Sequence, residues 1–229
     1  MNKQLFSVAI DGPGGAGKSS VAIRVAGEMN ALHLDTGAMY RAVGLYMLRN
    51  EVPLTDEEAI SDAVEGADVT VKYEDGRQKT LLLGEDVSDL IRTAEVSGAA
   101  SAVATVEKVR RCMVAMQRKI ASGISLVMDG RDIGTVVLPD ATVKVYLTAS
   151  NEVRAMRRFL EEKKKDPSIT YEEVLSDLIA RDKNDTTRAH SPLMKAADAV
   201  EIDSSDMTED EVTSRIIALL NEKLEVENT

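Results

Sequence analysis

Residues 8–21 read VAIDGPGGAGKSSV, with four glycines in six positions between an apolar run and the start of a helical pattern. A packed core has no use for such a stretch. The spacing Gly12-x-x-x-x-Gly17-Lys18-Ser19 matches the phosphate-binding loop G-x-x-x-x-G-K-[ST] in full. The context matches too. Phe6–Ile10 is short, apolar and strand-like, and Val21, Val25 and Met29 recur every four residues, as one face of a helix does. Glycine permits backbone dihedrals closed to other residues, so successive N–H groups can turn inward around an anion. The following helix adds its positive N-terminal end. Gly12, Pro13, Gly14, Gly15, Ala16 and Gly17 would form the cradle, continued by Lys18, Ser19 and Ser20. Lys18 would reach the β- and γ-phosphates of a nucleoside triphosphate, and the Ser19 hydroxyl would help to hold Mg²⁺.

The bulk properties fit a carrier of such a loop. A chain of 229 residues suits one α/β domain with a small insertion, and 44% hydrophobic residues is ordinary for a globular core. A net charge of −11 argues against a general nucleic-acid or membrane surface, so an anionic substrate must be held by local arginines. The single cysteine, Cys112, cannot form an internal disulfide and lies among apolar helix positions, which predicts a buried spectator thiol. With no apolar signal region and no stretch of membrane-spanning length, a cytoplasmic enzyme is expected, without a nucleic-acid polymer or a membrane as partner.

Five strand candidates alternate with helices: Phe6–Ile10, Ala31–Asp35, Leu126–Asp129, Val143–Leu147 and Ala199–Ile202. The alternation predicts a mostly parallel sheet covered by helices. Ligands of such sheets lie beyond the carboxyl ends of the strands, and here those ends are polar: Asp11-Gly12, Asp35-Thr36-Gly37, Asp129-Gly130-Arg131-Asp132 and Asp203-Ser204-Ser205. Val103, Val106, Val109, Met113, Met116 and Ile120 step by three or four and predict one core-facing helical stripe. Thr170-x-x-Glu173 and Thr208-x-x-Glu211 are capping boxes. Between helical segments, residues 68–85 alternate apolar and polar around Asp75-Gly76, a β-hairpin signal. Residues 62–95 are therefore read as a small inserted subdomain, either a substrate-side flap or a hairpin without a role in chemistry.

Moving a phosphoryl group asks a protein mostly for positioning and neutralisation of charge, so arginines become informative. Arg41 sits one turn into the helix after Asp35-Thr36-Gly37. Arg131 follows the third strand between two aspartates, a position that rarely serves packing. Arg154, Arg157 and Arg158 share one face of a helix opening near Ser150. That run could equally be a solvated charged face, with Arg157–Glu161 and Arg158–Glu162 as surface pairs. Arg181, Asp185 and Arg188 would line another face if their helix persists, and Arg188 could simply pair with Asp185.

At this point the chain resembles the nucleoside monophosphate kinases, and closely the bacterial cytidylate (CMP) kinase family. The resemblance covers nearly the whole length through IDGPGGAGKSS, LDTGAMYRA, GEDVSDLIRT, VSGAASAVA, MDGRDIGTVVLPDA, the RAMRR helix, RDKNDTTRAHSPL and AADAVEID. It implies a P-loop kinase core with a five-stranded parallel sheet, a monophosphate-binding insertion at 62–95 and a helical lid at 154–170. It also implies ATP and Mg²⁺ as donor and cofactor, CMP and dCMP as acceptors, and a monomer. The resemblance assigns the CMP phosphate to Arg41, Arg131 and Arg188. It gives the cytosine ring to Ser101, Arg110 and Asp132 with Thr36 and Tyr40 nearby, and the sugar to Arg181 and Asp185. The lid arginines Arg154, Arg157 and Arg158 would close over the moving phosphate, with Lys18, Arg131, Arg158 and Arg188 carrying the catalytic charge. Thr36 stands where some members carry serine, and Ser20 where threonine is also common.

Physical chemistry agrees with that base assignment. Cytosine presents an amine donor beside N3 and O2 acceptors, which a carboxylate and a guanidinium complement. Uracil would set a carbonyl against Asp132, and sites built on such pairing discriminate by on the order of 10⁴. A GTP-dependent switch is disfavoured, because the sequence lacks a guanine-reading N-K-x-D segment and Lys183-Asn184-Asp185 has the wrong order. A kinase for UMP, AMP or a hydroxylated acid is the competing enzyme reading. His33 and His190 lie far apart and predict no histidine metal site.

Overall fold

The computed structural model describes residues 4–164 and 166–226. Residues 1–3 and 227–229 lie outside it, as does residue 165 within the stretch 154–170 expected to form the lid. Strand β1 (Ser7–Asp11) is buried along four of its five residues, as expected of a strand covered on both faces. Its sheet has five strands in the order β2-β6-β1-β7-β8, where β2 is Leu32–Asp35, β6 Leu126–Gly130, β7 Val143–Thr148 and β8 Val200–Asp203. All five fall within one residue of the sequence expectation. The fold is thus the expected α/β architecture, a parallel sheet flanked by helices.

The chain divides into two compact units, Met1–Ala31 with Ile124–Thr229, and Leu32–Gly123. In the first, β1 pairs in parallel with β6 and β7, and β7 with β8. The register sets Ile10 beside Asp129, Asp11 beside Gly130 and Thr148 beside Asp203, so polar strand ends align along one edge. Helix α1 (Lys18–Met29) turns Val21 and Val25 into a core with Val8, Ile10, Val145, Ile202 and, from α8 (Glu209–Val226), Val212, Ile216 and Leu220. α6 (Asn151–Glu162) and α7 (Tyr171–Thr187) complete the unit. The Thr170 capping box opens α7, and Thr208 and Glu211 exchange the same bonds before α8.

In the second unit, β2 leads into α2 (Thr36–Arg49), whose N-cap Asp35 accepts from the Ala38 N–H at 2.9 Å. α2 packs against α4 (Ala94–Val103) across Gly44, where a Cβ would stand only 2.8 Å from the Ala100 nitrogen. α3 (Glu57–Ala63) precedes the expected hairpin, formed by β3 (Val69–Glu74) and β4 (Arg77–Leu82), with β5 (Glu85–Asp86) as a third strand. Asp75 and Gly76 both have positive φ, 50° and 73°, the requirement of a type I′ turn.

Two sequence expectations change. The stripe from Val103 to Ile120 is divided between two helices, α4 and α5 (Glu107–Ala121), because Val106 is extended. Val103, Val106, Val109 and Met113 are all buried even so, which is why the periodicity hid the break. Cys112 is exposed rather than buried: it stands one position off the Val109–Met113 face. Among the described residues no helix is long and apolar enough to cross a membrane.

Candidate active site

The loop after β1 is shaped by close backbone approach. A Cβ on Gly12 would fall 1.9 Å from the Leu147 carbonyl oxygen, so no other residue fits there. Gly17, at φ 90°, makes the left-handed step that opens α1. Lys18 is buried, and its Nζ donates to the Pro13 carbonyl at 2.7 Å. Burial pulls its ammonium down to about 7, with Arg131 adding to the effect and Asp129, Asp185 and Asp11 opposing it. A polyphosphate beside Lys18 favours the charged form. A nucleoside triphosphate bound at pH 8 should therefore draw in up to about one proton. Calorimetry in buffers of different ionisation enthalpy reads this directly, and an enthalpy independent of buffer would mean Lys18 was already charged.

The Ser19 hydroxyl donates to Asp129 Oδ2 at 2.7 Å across 110 positions of sequence. Asp129 is absent from the sequence-derived set. The polar end of its strand was visible, but its contact with the loop depends on the β1–β6 register. A hydroxyl and a carboxylate held together are hard oxygen donors, the chemistry that suits Mg²⁺, and a P-loop serine paired with a strand-end aspartate is how such loops hold the ion.

Beneath the loop, Asp11 accepts from the Ile133 and Gly134 N–H groups, both at 2.7 Å. Burial pushes its carboxyl up to about 6, against the pull of those two donors. The contact pins the start of a π-helical turn (Ile133–Val137) just after Arg131 and Asp132. Arg131 Nε donates to Asp185 Oδ2 at 2.7 Å. Arg188, which caps the end of α7, lies 3.8 Å from Asp185 and 3.9 Å from Asp132 and donates to the Ser191 carbonyl. Burial pushes the Asp185 carboxyl up, but Arg131, then Arg181 and Arg188, pull harder and leave it below its ordinary value. The first unit thus brings Lys18, Arg131, Asp132, Arg181, Asp185 and Arg188 into one electrostatic network.

The three arginines of α6 diverge. Arg154 is buried and donates to the Gly14 carbonyl at 2.8 Å, the Ala149 carbonyl at 3.0 Å and Asn151 Oδ1 at 2.5 Å, and pairs with Asp182 at 2.6 Å. Arg157 grips Ser204 through its hydroxyl (3.1 Å) and carbonyl (2.7 Å), and Ser204 itself reaches the Ala16 carbonyl at 3.2 Å. Two of the three therefore brace the phosphate loop. Arg158 pairs with Glu162 at 2.7 Å, the i,i+4 contact the sequence allowed.

The second unit holds its own cluster. Arg41 pairs with Asp35 at 2.9 Å, while its buried Nε–H has no hydrogen-bond partner among the described residues, a donor that burial makes costly to leave so. Arg110 lies 5.4 Å from the Tyr40 ring centre, a cation–π distance, and its NH1 donates to the Ala104 carbonyl at the end of α4. The helix break that the periodicity concealed thus supplies the carbonyl that fixes Arg110. Thr36 is buried at the start of α2, and Ser101 is half-buried on α4.

A strand, a glycine loop, a buried lysine and a serine–aspartate pair at the next strand end make the first unit the nucleotide-binding core of a P-loop phosphotransferase. The crystal structure of an uncharacterized protein from Eubacterium ventriosum has a similar fold, with a TM-score of 0.52 over 96% of this chain and 99% of that one at 15% identity. The sequence narrows the class. A family profile described as "Cytidylate kinase" matches residues 8–222. The cytidylate kinase of Caldanaerobacter subterraneus subsp. tengcongensis is 48% identical over 91% of this chain and 92% of its own. That of Caldicellulosiruptor bescii is 45% identical over 93% and 95%. The chain belongs to the cytidylate kinase family.

Proposed function

We propose that the protein transfers the γ-phosphoryl group of ATP to CMP and dCMP, giving CDP or dCDP and ADP, as a cytoplasmic monomer serving pyrimidine nucleotide metabolism. The observation that carries the reading is the family match over residues 8–222. The chemistry of the site supports it: one buried ammonium and several guanidiniums in a chain of net charge −11 suit the meeting of two anions. ATP docks on Gly12–Ser20. Mg²⁺, when bound by Ser19 and Asp129, supplies neutralisation of phosphate charge. A non-bridging oxygen of the CMP phosphate attacks the γ-phosphorus in line, the bond to the β–γ bridging oxygen breaks, and ADP leaves. A phosphate monoester is already largely ionised near neutral pH, so no general base is required.

The acceptor roles follow the resemblance. Arg41, Arg131 and Arg188 hold the CMP phosphate. Ser101, Arg110 and Asp132, with Thr36 and Tyr40, read the base, and Arg181 and Asp185 hold the sugar. The Arg41 Nε–H, without a hydrogen-bond partner among the described residues, suits an anionic ligand. Residues 62–95 act as the monophosphate-binding insertion and residues 154–170 as the lid. Within that lid Arg154 and Arg157 serve the ATP loop, and Arg158 meets the moving phosphate. Closure excludes water and suppresses idle hydrolysis. The test is product formation from Mg·ATP with CMP, dCMP, UMP and AMP offered separately. CDP formed well above UDP and ADP-from-AMP supports the reading. ADP released without any acceptor marks a hydrolase, and no CDP ends the proposal.

A further inference from the structure

Asp35 is held at four atoms, and two of the bonds come from the hairpin. Its carboxylate accepts from the Ala38 N–H through Oδ1 and from Arg41 NH2 through Oδ2, each at 2.9 Å. Its main chain is gripped by one side chain: the Asp35 N–H donates to Gln78 Oε1 at 2.7 Å, and Gln78 Nε2 donates to the Asp35 carbonyl at 3.2 Å. A carboxamide bonding both the N–H and the C=O of one residue locks that peptide much as a neighbouring strand would. Gln78 is itself oriented, since Nε2 also reaches Thr80 Oγ1 at 3.2 Å. Directly opposite Gln78 on β3 stands Tyr73, so the two side chains share a face of the hairpin. The Tyr73 hydroxyl donates to the His33 carbonyl at 2.9 Å, two residues before Asp35 on β2. Gly37 leaves the room this arrangement needs: a Cβ there would lie 3.1 Å from Asp35 Oδ1 and 3.3 Å from Arg41 NH1.

We propose that Gln78, seconded by Tyr73, is a positioning residue for the acceptor: it fixes the main chain of Asp35, whose carboxylate aims the Arg41 guanidinium at the acceptor phosphate and whose neighbour is Thr36. The hairpin then has a task inside its own unit, bracing the turn from β2 into α2. This rests on the assignment of Arg41 to the CMP phosphate. The side-chain bonds of Gln78 go to Asp35 and Thr80, both in its own unit, so the effect is expected on one substrate.

The test begins with wild-type steady-state kinetics. Absence of CDP there ends the functional reading itself and is recognised as such. Given activity, Gln78→Met, which keeps length and loses both bonds to Asp35 together with that to Thr80, raises the KM for CMP about tenfold, the size expected for the two bonds lost at Asp35, with the KM for ATP within twofold. Tyr73→Phe, which removes a single hydroxyl, raises it about threefold and serves alone if Gln78→Met does not fold by its thermal melt. In an Arg41→Lys background, Gln78→Met adds less than twofold, because its route to the acceptor is already broken. A fold-only role would apply its full penalty in both backgrounds. Unchanged KM for CMP in both single variants, equal rises for CMP and ATP, or full additivity with Arg41→Lys each overturns the proposal.

Discussion

Lys18→Met is expected to lower kcat for CMP phosphorylation by about 10³–10⁵ while leaving the melting temperature unchanged or raised at pH 7–8. The two halves of this result have one cause. Lys18 is buried deeply enough that burial pulls its ammonium to about 7, so the folded chain bears the cost of desolvating a charge. Methionine fills nearly the same space and removes that cost. What it cannot do is neutralise charge gathering on the transferred group. The folded pKa lies below the ordinary 10.5, so the folded chain binds fewer protons than the unfolded one between about 7 and 10.5. Lys18 therefore contributes stability at the alkaline end and loses it as pH falls through about 7. The gain in melting temperature on Lys18→Met should accordingly shrink as pH rises from 7 towards 10. Rates and melts on the same preparations check both halves. A variant that stays active within tenfold would remove Lys18 from the chemistry, and one that melts far below the wild type would make it a structural residue.

Asp132→Ala should lower kcat/KM for CMP by on the order of 10³, change the KM for ATP only a few-fold, and scarcely alter the poor rate with UMP. The carboxylate is buried, 3.9 Å from Arg188 and next in sequence to Arg131. In the proposed complex it accepts from the cytosine amine, and uracil offers it a carbonyl instead. Asp132→Asn sharpens the comparison, because its amide can donate to that carbonyl. The CMP-to-UMP ratio should collapse further in this variant than in Asp132→Ala. Equal losses on CMP and UMP in both variants would show that Asp132 supports the fold or the phosphate rather than the base.

Local chemistry made much of this legible in advance. Short apolar runs ended by Asp or Gly mark β1, β2, β6 and β8 to within a residue, and a short apolar run alone marks β7. The Asp75-Gly76 turn and the Thr170 cap were readable for the same reason: each is decided by a few neighbouring residues. What escaped was decided at a distance. Ser19 meets Asp129 only because β1 and β6 are in register. Arg154, Arg157 and Arg158 share a helical face by spacing, yet the Gly14 carbonyl 140 positions away, Ser204 and Glu162 claim them separately. The division between α4 and α5 was invisible because Val103, Val106 and Val109 stay buried on either side of it. Gln78 carried no sequence signal, since a half-buried glutamine on a hairpin is ordinary until its amide meets the main chain of Asp35.

Asp11 sets robustness and readiness against each other. Its carboxyl titrates near 6 in the fold against an ordinary 3.8, so the folded chain holds that proton more tightly than the unfolded one. The support it lends is complete below about 3.8 and drains away as pH climbs through about 6. Yet the ionised form is the one that best accepts two N–H groups and keeps Ile133 and Gly134 in place. Mild acid therefore firms this corner of the molecule and slackens its alignment together, so at Asp11 the conditions for endurance and for catalysis part company.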